Sequence, residues 1–133
     1  MTITQALQAW LALEHEAVWL YPVLGARRDD LVDRATASFE AHRDTRDALV
    51  TRLRALDVVP VTAALAYTVG PLSTTADART AAQSLESRIA AACLALVGLA
   101  EDALRRYAVS NLTKAAVAEQ TWGAEPRAFP GLP

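Results

Sequence analysis

The 133-residue sequence has a single cysteine, Cys93, so no disulfide forms within the chain and nothing points to an oxidising compartment. Its five glycines and six prolines are too few for a collagen-like or low-complexity chain. The first residues, Met1-Thr2-Ile3-Thr4-Gln5, lack a basic n-region, so no signal peptide is expected and the cytoplasm is the expected location. The longest apolar run, Ile89 to Ala100, is 12 residues including Gly98. A membrane span needs about 20, so that run reads as a buried core helix and no membrane association is expected. An excess of one charge is missing too: a net charge of −2 argues against nucleic acid and anionic surfaces as partners. Lysine is nearly absent, Lys114 being the only one. There is no glycine-rich phosphate loop, nucleophile elbow or paired Cys/His motif. No catalytic residue, metal or cofactor is therefore expected.

What the chain does have is apolar mass, 53% hydrophobic against 21% charged residues. A chain of this length buries roughly two-thirds of its unfolded surface, enough for a core without staples. One domain over residues 1–133 is expected, with an irregular Pro/Gly-rich tail over 123–133.

Helical periodicity dominates. Between Ile3 and about Ala26, Ile3, Leu7, Leu11, Val18 and Tyr21 form one stripe, and Trp10, Leu13, Ala17, Leu20 and Leu24 a second beside it. Pro22 is expected to bend or loosen the last turns. Asp29, Asp30 and Asp33 then open a second helix to about Leu56, with Leu31, Ala35, Leu49, Leu53 and Leu56 inward. From Val58 to Ala76 the pattern breaks at Pro60, Gly70, Pro71 and Ser73-Thr74-Thr75, which is loop chemistry. Thr74 and Asp77 resemble a capping box, with Asp in place of Glu. A third helix to about Gly98 and a fourth to about Trp122 follow; a single helix across both is the competing reading. Two antiparallel hairpins joined by a long crossover loop make an all-α, ferritin-like four-helix bundle. Val61, Leu65, Tyr67, Val69 and Leu72 are expected to lie against the bundle as the loop crosses, and Phe129 and Leu132 to dock the tail.

Three polar residues interrupt the apolar stripes near the helix centres: Glu14, His42 and Glu86. Glu14 and His42 are each 14 residues from Arg28, in the turn between their helices, so they face each other at one level. With the crossover, Glu86 and Asn111 fall within about 8 Å of that level along the axis. Buried ionisable groups need partners, so Glu14 and His42 are expected to bond to each other or to water. A di-iron bundle needs four carboxylates and two imidazoles, with Glu-x-x-His on two helices. Here the pattern around His42 is Glu40-x-x-Arg43, and Glu101 and Glu119 are followed at i+3 by Leu104 and Trp122. The set is incomplete.

Other candidates carry less. Glu14-His15-Glu16 is no chelate, because helix neighbours point about 100° apart. His15 and Trp19 are expected to be partly covered by the tail, and Cys93 to act as a small buried hydrophobe.

The segment Leu13-Glu14-His15-Glu16-Ala17-Val18, followed by Tyr21 and Gly25, resembles a ferritin-like domain of unknown function found mainly in actinobacteria. The similarity continues through Ala41-His42-Arg43-Asp44-Thr45-Arg46-Asp47-Ala48-Leu49, Tyr67, Pro71 and Leu85-Glu86 to about Trp122. It implies a ferritin-like bundle, brings no assigned activity, and includes Glu14, His42 and Glu86 among its matching positions. The Glu-x-x-His pair of iron carriers has no match.

These observations lead to a non-catalytic bundle with a vestigial polar core at Glu14, His42, Glu86 and Asn111, acting as a homodimer or through an unknown protein partner. Its motivation is the second stripe of the first helix, more than one hairpin neighbour covers. The alternative is a metal- or small-ligand-binding, oxidoreductase-type bundle using Glu14, His42 and Glu86.

Overall fold

Thr2 sets the start of the first helix through a reciprocal pair of bonds. Its hydroxyl accepts from the Gln5 N–H at 3.1 Å, and its own N–H donates to Gln5 Oε1 at 2.9 Å. In the computed structural model, which describes residues 1–133, this helix is α1 (Ile3–Arg27). A single 3₁₀ turn, Asp29–Leu31, leads into α2 (Val32–Ala55), and α3 (Thr75–Leu99) and α4 (Asp102–Thr121) follow. There is no strand. The chain is all-helical, and four long helices in this arrangement are consistent with a four-helix bundle.

Helix ends differ in detail from the sequence expectation. Pro22 lies inside α1 on its exposed side, and the helix continues past it to Arg27. Asp29 and Asp30 fall in the 3₁₀ turn, while Asp33 stands in the first turn of α2 as expected. Only half of the expected box at α3 forms. Thr74 Oγ1 accepts from the Asp77 N–H at 3.0 Å, while the Asp77 carboxylate takes the Ser73 hydroxyl at 3.1 Å. Aspartate is one methylene too short to reach back as glutamate does. The α3–α4 break falls at Ala100–Glu101, both extended, so the single-helix alternative does not hold.

α1 packs on both α2 and α3, and α3 packs on α4. Both apolar stripes of α1 are therefore covered inside the fold: Leu7, Leu11 and Tyr21 from one, Trp10, Ala17, Leu20 and Leu24 from the other, are all buried. α3 has the length and apolarity of a membrane span, yet it also carries Glu86 and Arg88, and nine of its residues are buried in the bundle. Leu56, expected inward, is 52% exposed because α2 ends at Ala55 and the chain turns away through Asp57, at φ 56.

The connection over residues 56–74 runs along α1. Gln8 holds its start, donating to the Val59 carbonyl and accepting from the Val61 N–H, each at 2.8 Å. His15 Nε2 meets the Val61 carbonyl at 2.9 Å, and Trp19 and Tyr67 rings lie 5.8 Å apart. Arg28 and Asp30 hold its end through Ser73 and Thr75. His15 and Trp19 are thus covered by this connection and not by the tail. Of its apolar residues, Leu72 is buried and Tyr67 and Val69 half-buried, while Leu65 points fully into solvent and Val61 is exposed.

The tail docks on α3, though not through the expected hydrophobes: Phe129 and Leu132 are exposed. Arg127 anchors it, donating to Glu119 Oε2 at 3.0 Å and to the Ser87 hydroxyl at 2.6 Å. Gly131, at φ 86, lies so close to α3 that a Cβ would sit 2.9 Å from the Ala90 carbonyl oxygen.

Candidate functional site

The three polar residues that interrupt the apolar stripes meet. His42 is held between two carboxylates from different helices: Nδ1 lies 2.6 Å from Glu14 Oε2 on α1, and Nε2 lies 2.6 Å from Glu86 Oε1 on α3. With both nitrogens facing acceptors, both carry hydrogens, and the ring is an imidazolium. Burial works against that charge, but hydrogen bonds to Glu14 and Glu86 and their negative charges outweigh it, raising the His42 pKa to about 10.

Two aromatic residues complete the chain. Trp10 Nε1 donates to Glu14 Oε1 at 2.8 Å, one turn earlier on the same helix. The Tyr21 hydroxyl donates to Glu86 Oε1 at 2.6 Å. Tyr21 also stacks on His42 and on Trp122, with centroids 5.5 Å and 5.6 Å away. Burial first, and then the charge of Glu86, push the Tyr21 hydroxyl well above its ordinary value, so it remains a donor. The order is Trp10–Glu14–His42–Glu86–Tyr21, with Glu14 and Glu86 each 1% exposed.

Trp10 and Tyr21 are read from sequence as core hydrophobes only. The signal that would have added them is spacing, since Trp10 lies four residues before Glu14 and Tyr21 seven after, all on one face. Two further buried acids also escape a sequence reading: Glu16, in a two-bond pair with Arg88 at 2.9 Å, and Glu119, met by Arg127. Asn111 is buried near the same level but stands apart. Its Nδ2 donates to the Tyr107 carbonyl of its own helix at 3.0 Å and to nothing in the cluster. Cys93 is buried as expected. Burial and the nearby Glu14 and Glu86 charges push its thiol up, away from thiolate chemistry.

The cluster forms part of the floor of a cleft of about 320 Å³ between α2 and α4. Two arginines of α2 bridge the seam. At one end Arg34 Nη1 donates to the Thr121 carbonyl at 2.7 Å and its guanidinium lies over Trp122. At the other, the Arg52 guanidinium sits 4.3 Å from the Tyr107 ring centroid. Between them the two helices stand apart, walled by small residues such as Ala37 and Ala41 on α2 and Ala115 and Ala118 on α4.

The di-iron ligand set of ferritin-like bundles, already incomplete in the sequence, does not fit these residues. At this level α4 contributes Asn111 instead of a carboxylate or imidazole. Both nitrogens of the one imidazole are engaged with carboxylates, and no group of three His, Cys, Asp or Glu side chains is arranged to hold a metal ion.

Fold and site together define an all-helical domain with a hydrogen-bonded ionic cluster at its centre. The chain belongs to the family described as a domain of unknown function, DUF4439, whose model matches residues 6–133. It is similar to the crystal structure of a conserved hypothetical protein, rv2844, from Mycobacterium tuberculosis. The two share 32% identity over 96% of each chain, with a TM-score of 0.84. No curated protein matches the sequence.

Proposed function

We propose that this protein is a non-catalytic, ferritin-like bundle that binds a small organic molecule in the α2/α4 cleft. The observation that carries it is His42, whose two ring nitrogens are both committed to carboxylates. A protonated imidazole cannot ligate a metal, so an organic cation of the protein itself stands between the carboxylates. The topology supports the ferritin-like assignment: two antiparallel helix pairs joined by a connection that runs the length of α1. The homodimer reading rests on an unpartnered stripe on the first helix. With both stripes covered by α2 and α3, the cleft is the feature that calls for an occupant.

The test is a thermal-shift panel of small amines, acids, sugars and amino acids on the native protein and on Ala41→Trp, which fills the cleft from an exposed wall position. At least one compound is expected to raise the melting temperature of the native protein and to leave Ala41→Trp unchanged. Stoichiometric iron or manganese binding that disappears in His42→Ala, with no compound acting through the cleft, would overturn the proposal.

A further inference from the structure

One oxygen of the central cluster is left over, sealed beneath the cleft floor that Glu86 helps to line. Glu86 Oε1 takes both the His42 and the Tyr21 donors, while Oε2 is buried and meets no protein donor. A buried acceptor left unmet is costly, and carboxylate oxygens are among the strongest acceptors a protein offers. Charge gives the second indication. One imidazolium stands between two carboxylates, so the cluster is one positive charge short of neutral.

The cleft mouth has the opposite character. Lys114 lines it, is exposed and makes no ion pair. The Arg34–Thr121 and Arg52–Tyr107 bridges set the register of antiparallel α2 and α4, and that register places Lys114 opposite His42. An anionic acceptor thus lies beneath the floor and a free cation at the mouth, at one level of the bundle. The walls between them are short apolar side chains, Ala41, Ala115 and Ala118.

Resting on the cleft-binding function proposed above, we infer that the ligand is a small zwitterion with a primary ammonium and an acid group on one short carbon frame. On binding, the ammonium parts the floor to reach the sealed Glu86 Oε2 and supplies the missing positive charge, which a neutral hydroxyl does not. The acid group pairs with Lys114 at the mouth. A cleft of about 320 Å³ is near the lower end of ligand pockets, which suits a molecule of amino-acid size and excludes a nucleotide.

Isothermal titration of the intact protein with glycine, β-alanine, γ-aminobutyrate and 5-aminovalerate, beside n-butylamine and butyrate, tests this. At least one amino acid of the series is expected to bind tenfold or more tightly than butylamine, with butyrate failing to bind. Lys114→Met, an exposed change that leaves the floor intact, is expected to bring that amino acid down to the level of butylamine. Glu86→Gln is expected to weaken every amine-bearing probe tenfold or more; if that variant fails to fold, the Lys114→Met comparison still decides. Equal binding of amino acid and amine, or binding of butyrate alone, overturns the zwitterion. If none of these probes binds while other compounds stabilise the native protein and not Ala41→Trp, the zwitterion falls and the cleft-binding function stands. If no compound depends on an open cleft, both fall and Glu86 Oε2 is met by water alone.

Discussion

Glu14 and His42 are 28 positions apart in the chain and 2.6 Å apart in the fold, Oε2 to Nδ1. Their meeting follows from helix geometry: an antiparallel hairpin brings residues equidistant from its turn to one level. The structure adds Glu86 on the far side of the imidazole, which changes what mutation of the pair does.

Truncating either member strands a buried partner, so Glu14→Ala and His42→Ala are each expected to lose roughly 3–5 kcal/mol of stability. Replacing only the pair, Glu14→Leu with His42→Leu, is expected to recover part of the loss, since Glu86 keeps Tyr21 but loses its cation. Adding Glu86→Met is expected to recover more. Urea denaturation of the single, double and triple variants checks the order. Additive losses would show that the three groups do not interact.

The protonated state of His42 links stability to pH. Its pKa is about 10 in the fold and about 6.5 in an unfolded chain. The folded state therefore holds a proton that the unfolded state releases. The stabilisation is fully present below about pH 6.5 and is lost as pH rises through about 10, at about 1.4 kcal/mol per pKa unit. The stability gap between native protein and His42→Ala is expected to shrink steadily over that window. Nitrogen-15 spectra of the imidazole at pH 8 are expected to show an imidazolium.

Tyr21→Phe removes one hydroxyl and little else. The lost bond is to a charged acceptor, and such bonds contribute about 1.5–3 kcal/mol. The stacking on His42 and Trp122 is retained, so chemical denaturation is expected to show a loss in that range with native-like circular dichroism.

Cys93 is fully buried and its thiol pKa is raised. Its reaction with a disulfide reagent in the native protein is expected to be slow and limited by opening of the bundle. Rapid labelling at pH 8 without denaturant would contradict the packing of α3.

Gly131→Ala places a methyl against the Ala90 carbonyl at a backbone angle that favours glycine. The tail is expected to detach while the bundle stays folded, with a global loss under about 1 kcal/mol, as for other surface changes. Hydrogen exchange at residues 123–133 checks it, together with protease access after Arg127.

Much of this protein was legible in its sequence, because helical period, caps and breaks act over a few residues. The four helices, the long connection, the inward Glu14, His42 and Glu86, and the buried Cys93 all follow from local spacing. So does the shared level of Glu14 and His42, since one short turn fixes it. What depends on distant contacts was not legible. Whether α1 offers a free stripe was decided by α3 packing on it. Leu65, Phe129 and Leu132 look apolar enough to dock, yet the connection is held by Gln8 and Arg28 and the tail by Arg127, through bonds that span tens of residues. The same holds at the centre. Sequence places Trp10 and Tyr21 on apolar stripes, and only the packed helices turn their polar ends onto Glu14 and Glu86. The sequence by itself determined that Glu14, His42 and Glu86 point inward, because an apolar face interrupted by a charge has nowhere else to put it; the burial of Glu16 and Glu119 depends on Arg88 and Arg127 reaching them across the fold. The tertiary structure alone decided how each is satisfied, and which oxygen is not, because hydrogen bonds across helices depend on register and distance to within a few tenths of an ångström.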